Sequence, residues 1–153
     1  MGTHSATIEW RRSGAAFVDR RYSREHLWRF DGGAAVPASS SPHVVPVPFS
    51  NPANVDPEEA FVAALSSCHM LWFLDFAARA GYVVDEYIDR AEGHMARRED
   101  GTEWIASVVL SPAVRFSGAQ APGDEAVRGL HHRAHAACFI ANSVRTEVSI
   151  EPR

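Results

Sequence analysis

The chain has 153 residues, 46% of them apolar and 22% charged, with a formal net charge of −4. That length buries a core in one domain without staples, the composition excludes a disordered chain, and the acidic balance argues against a nucleic-acid or membrane-surface partner. No apolar run reaches the ~18–20 residues of a membrane span, and the opening MGTHSATIEW lacks the basic-then-apolar order of a secretory signal, so a cytoplasmic protein is expected.

Strands are expected over 6–31. Ala6, Ile8 and Trp10 alternate with Thr7 and Glu9, the period of a half-buried strand. Ala16, Val18 and Arg20 alternate about Phe17, and residues 22–31 place Arg24, His26, Trp28 and Phe30 on one face with Glu25, Leu27 and Arg29 on the other. Gly32-Gly33 ends this run. Residues 34–55 hold five prolines and four serines in 22 positions, which excludes a helix and a central strand. Val44, Val45, Val47 and Phe49 make the stretch too apolar for a linker, so it reads as an extended, ordered loop.

The clearest element is a central helix over 56–80. Asp56 is a good N-cap, Pro57 suits the first helical position, and Glu59 completes a capping box. Its body is apolar on almost every face and Gly81 is a natural stop. Such a helix is expected to be buried on all sides, by a sheet, a partner subunit or both. Strands return over 86–116, with a hairpin signal at Asp100-Gly101 and an interruption at Pro112. A second helix follows over 124–141, with Leu130, Ala134, Cys138 and Ala141 on one face, and a last strand over 144–150. This order is α+β rather than doubly wound.

The two cysteines, Cys68 and Cys138, fit neither a C-x-x-C motif nor a zinc ribbon. Read blandly, they are two buried thiols acting as small hydrophobes. Yet each lies on the core face of one of the two long helices, whose packing can bring thiols into disulfide reach. His131, His135 and Cys138 also share a helical face at offsets compatible with metal ligands, with His132 beside them, although no partner motif supports a metal. His69 follows Cys68 but points about 100° away from it, which makes a role as its base doubtful.

The run NVDPEEAFVAALSSCHMLWFLDFAARAGYVVDEY resembles the core helix of the OsmC/Ohr family, in which a cysteine lies ten residues after the glutamate of an Asn/Asp-Pro-Glu helix start. Glu58 and Cys68 have that spacing. AACFIANSVRTEVSI resembles the segment carrying the second family cysteine, and WRFDGG more weakly resembles the strand end carrying the family arginine. The 34–55 insertion departs from the shorter members. The resemblance implies sheets wrapped around two long helices, one central and buried, in an intimate two-fold dimer. It also implies a thiol-dependent peroxidase reducing organic hydroperoxides through a Cys68 sulfenate and a Cys68–Cys138 disulfide. No bound cofactor is implied, only an external thiol or dithiol reductant of lipoyl or thioredoxin type. A non-catalytic redox sensor on the same scaffold, and a metal or small-molecule binder using the histidine-rich helix, are the alternatives.

The chemistry requires a cation near the reacting thiolate, and an arginine stays charged when desolvated. The resemblance points to Arg29, whereas strand periodicity also offers Arg24 on the opposite face. Glu58 is the carboxylate that would hold the guanidinium, but ten residues of helix rise about 15 Å. Either the helix is kinked or Glu58 serves a second chain, and the all-apolar helix favours a dimer with a shared site.

Overall fold

A computed structural model describes residues 2–153. The chain gathers into two compact units, one ending at Ala60 and one running from Phe61 to Arg153.

In the first unit, β1 (Ala6–Glu9), β2 (His26–Phe30) and β3 (Ala35–Ala38) form an antiparallel meander. Its register sets Ile8 opposite Trp28 and Trp28 opposite Val36. Gly33 turns the β2–β3 hairpin with a φ of 87°, a backbone conformation open to glycine. Pro37 lies in β3, an edge strand of this sheet, where its missing N–H costs nothing. Its carbonyl accepts from Val55 N–H at 3.1 Å, so the Pro-rich stretch is ordered as expected but contributes one short strand.

The strand expected through 10–25 does not form. Ser13, Gly14 and Arg20 take positive φ values of 52°, 81° and 64°, and Asp19 Oδ1 accepts from Arg21 N–H at 3.0 Å in a local turn. Instead of pairing with a neighbouring strand, the aromatic side chains close on one another: Tyr22 stacks on Phe17 at 4.7 Å and meets Trp10 edge-on at 5.4 Å.

α1 runs from Pro57 to Arg79. The capping box is made as read: Glu59 N–H donates to Asp56 Oδ1 at 2.8 Å and Asp56 N–H to Glu59 Oε2 at 3.2 Å. At the other end Gly81 adopts a φ of 81° and Tyr82 N–H returns to Ala77 O at 3.0 Å, closing the helix in a left-handed cap. Within one chain α1 is not buried all round. Leu65, His69, Phe73 and Ala77 form one buried stripe, while Leu71 is 62% exposed. By length and composition this helix is apolar enough to cross a membrane, which corrects the expectation that no segment is, but its stripe is packed into protein.

In the second unit the expected 86–116 strands resolve into four. β4 (Val83–Asp89) pairs with β7 (Pro112–Ser117), and β5 (Glu92–Arg97) pairs with β6 (Glu103–Leu110), which also takes β8 (Glu147–Ile150) in parallel. Pro112 opens β7 rather than weakening one long strand. Asp89 fixes the corner, its Oδ1 accepting from Ser111 N–H at 2.6 Å and its Oδ2 from the Ser66 hydroxyl of α1. α2 spans Asp124–Ala137 and stops before Cys138, which sits at its C-cap with extended backbone. Asn142 ends it, donating to the carbonyls of Ala136 and Cys138 at 2.9 Å each. Phe73 and Ala77 of α1 pack on Leu130 and Ala134 of α2 in one core, and Leu65 packs on Val108 and Leu110 of β6 in the other.

Candidate thiol site

Cys138 is held at the end of α2 with no solvent exposure, and its Sγ accepts from Ala141 N–H at 3.4 Å. Burial pushes its thiol up to about 11, opposed by the Ala141 amide and reinforced by the neighbouring Cys68. The thiols sequence reasoning placed on two helix faces are therefore neighbours, although Cys138 caps its helix rather than lying within it. Both are free thiols, Cys68 half-buried and Cys138 buried. This asymmetry has a chemical meaning. The thiolate is the nucleophile, so Cys138, held protonated at neutral pH, is the poorer first attacker, and Cys68 alone has solvent access.

The other expected site residues belong to the first unit. Arg24, His26 and Glu58 line a cavity of about 430 Å³ whose apolar wall is Ile8, Trp10, Phe17 and Tyr22. Arg24 lies over the Tyr22 ring at 3.8 Å, and its Nη1 donates to the carbonyls of Arg20, at 2.8 Å, and Tyr22. Glu58 Oε2 is buried without a hydrogen-bond partner, an acceptor left free beside the cavity. His26, which sequence reasoning passed over, secures this arrangement. Its Nε2 accepts from Trp28 Nε1 at 2.8 Å, so the ring is neutral and its Nδ1–H donates to Arg24 O at 2.8 Å.

Arg29 is elsewhere. Alternation along β2 turns it to the opposite face, where it is 54% exposed and pairs with Glu9 at 3.1 Å. The two arginines that sequence reasoning left open thus lie in different settings. Arg29 occupies the solvated position, and Arg24 occupies the cavity. α1 runs without a break from Glu58 to Cys68.

The histidines of α2 separate. His132 is exposed and His131 buried, and His131 Nδ1 lies 3.0 Å from Nε2 of His69 on α1, the rings stacked with 7° between their planes. Among the described residues no group of three or more His, Cys, Asp and Glu is arranged to hold a metal ion. Burial, then His131 and His135, pulls His69 down to about 4 from 6.5, and burial pulls His131 to about 4 against the Asp89 carboxylate. A ring held below its unfolded pKa leaves the native state less protonated than the unfolded one. Its contribution is therefore whole above pH 6.5 and drains as pH falls toward 4. Denaturant unfolding at pH 7 and pH 5 is expected to show a loss on the order of 2 kcal/mol per ring. His131→Leu should flatten that dependence, and an equally steep curve in the variant would refute the assignment.

An α+β chain built around two facing helices that each bring one free thiol to the same place defines the class: a paired-thiol protein. Its family is equally definite, because the chain belongs to the OsmC-like proteins, whose pattern matches residues 50–153. It is similar to an OsmC-like protein of unknown function from Vibrio cholerae, at 54% identity and a TM-score of 0.97 over 100% of both chains. It shares its fold with two organic hydroperoxide resistance proteins. One, from Elizabethkingia anophelis, is 18% identical with a TM-score of 0.71 over 99% of this chain and 94% of that one. The other, from Bacillus subtilis, is 17% identical with a TM-score of 0.67 over 99% and 98%. No curated protein matches the chain.

Proposed function

We propose that the protein is a thiol-dependent peroxidase that reduces organic hydroperoxides to alcohols. The observation that carries this reading is the unequal thiol pair, a half-buried Cys68 against a fully buried, protonated Cys138. The Cys68 thiolate attacks the peroxide oxygen, releasing the alcohol and leaving a sulfenic acid. The Cys138 thiol then displaces that hydroxyl as water and closes a disulfide, which an external dithiol or thiol reopens. That thiolate needs a compensating cation, an arginine is the suitable group because it stays charged when desolvated, and Arg24, which lines the first unit's cavity with Glu58, is the candidate for the role. The aromatic wall beside them suits an apolar organic group rather than a hydrated one. The remaining apolar surface of α1 is covered by a second copy, so that the site is shared by two chains. Free thiols suit a reducing cytoplasm.

The test is consumption of cumene hydroperoxide with dihydrolipoyl, thioredoxin-type or monothiol reductants in excess. Repeated turnover with at least one dithiol is expected. Absence of turnover with every reductant, from protein whose thiols titrate as free, would overturn the reading.

A further inference from the structure

The His69–His131 pair is buried, polar and unused by the chemistry above. It costs the fold something, because His69 Nδ1 and His131 Nε2 are both buried without a partner. Two apolar side chains of similar shape would cost less. Its position suggests what it does. His69 is the residue after Cys68 on α1, and His131 lies two turns before Cys138 on α2. Between these helices Phe73 and Ala77 pack on Leu130 and Ala134, apolar packing that does not fix direction, and the Arg133 guanidinium lies over the Phe76 ring at 4.2 Å. Among the described residues His69 to His131 is the one hydrogen bond that joins α1 to α2.

A ring-to-ring N–H···N bond needs one donor and one neutral acceptor. It tolerates little rotation or sliding before it breaks. Phe73 stacks on His131 at 4.3 Å and clamps the second ring. Any rotation of α1 that frees His69 carries Cys68 round by the same angle.

Resting on the peroxidase reading, we propose that His69 and His131 are positioning residues for disulfide closure, holding α1 and α2 in the one register in which Cys138 reaches the sulfur of Cys68. The step they govern balances without another reactant. The S–S bond forms as the S–O bond of the Cys68 sulfenic acid breaks. The Cys138 sulfur is oxidised and the sulfenic sulfur reduced, and the thiol proton leaves with the hydroxyl as water. The first step, attack of Cys68 on the peroxide, does not depend on the pair.

The test uses the full chain and two kinds of substitution. His69→Leu and His131→Leu break the hydrogen bond. His131→Asn and His69→Gln keep a polar atom near the ring nitrogen that makes it. After one equivalent of cumene hydroperoxide, dimedone trapping follows the sulfenate and thiol alkylation follows closure. Sulfenate formation should stay within about twofold of wild type in all four variants. Closure should slow at least about tenfold in the leucine variants, the net worth of a buried hydrogen bond, and largely recover in His131→Asn and His69→Gln. Equal closure rates in leucine variants and wild type would overturn the proposal. So would equal slowing in all four, which marks general packing rather than a bond. A second arm replaces the peroxide with diamide, which adds to one thiol and is displaced by the other as the hydrazine. If wild type ignores the hydroperoxide yet the four variants keep this order with diamide, the positioning role stands and the peroxidase reading falls.

Discussion

Cys68→Ser is expected to abolish hydroperoxide turnover, whereas Cys138→Ser consumes one equivalent with a dithiol present only after the fact, and stops at a sulfenate that dimedone captures. The reason is the difference in setting. Cys138 is fully buried and its thiol is pushed to about 11, so almost none of it is thiolate at neutral pH, and peroxides react with the thiolate. Cys68 is half-buried and keeps some contact with solvent. A serine hydroxyl at that position has no thiolate to offer and no sulfenate to form. The loss in Cys68→Ser is therefore total rather than graded. Stopped mixing with peroxide, followed by intact mass, reads both variants. If Cys68→Ser retains the first-equivalent reaction and Cys138→Ser lacks it, the order of the two thiols is reversed.

Arg24→Ala is expected to slow sulfenate formation by roughly 10²–10³, the usual effect of removing one preorganised charge from developing anionic density. Arg29→Ala should leave the rate unchanged within about twofold, because an exposed ion pair contributes little. Arg24→Lys keeps the charge but loses the planar fork and its place over the Tyr22 ring at 3.8 Å, so it should recover only part of the rate. Glu58→Gln should share the defect if the Glu58 carboxylate, unpartnered in this structure, engages the guanidinium when substrate binds. Arg24 also bonds the Arg20 and Tyr22 carbonyls, so melting temperatures distinguish a lost charge from a loosened loop. A crippled Arg29→Ala beside a silent Arg24→Ala would return the cation to the outer face of β2.

The elements set by local chemistry were legible. Asp56, Pro57 and Glu59 announce the start of α1 and Gly81 its end, because caps depend on residues three or four apart. Asp100-Gly101 marks its hairpin turn for the same reason, Gly101 adopting a φ of 85°. What was hidden depends on distant partners. The alternation around Phe17 looks like a strand, but Trp10 and Tyr22 offer that ring better company than a neighbouring strand does. α2 stops four residues earlier than its apolar face suggests because the Asn142 side chain takes the carbonyls at its end. Periodicity separated Arg24 from Arg29, although Arg24 precedes β2, which begins at His26. It did not say which face bears the cavity, since that is decided by the aromatic turn folding over one side. His69 was set aside as pointing away from Cys68, and its partner His131 is 62 positions away in sequence.

The most direct measurement is the state of both thiols in reduced wild-type protein after one equivalent of cumene hydroperoxide, read by intact mass and peptide mapping. The account predicts that the hydroperoxide is converted to its alcohol, that the chain loses the mass of two hydrogen atoms, and that the Cys68 and Cys138 peptides are recovered joined by a disulfide. Recovery of both cysteines as free thiols with the hydroperoxide intact would contradict it.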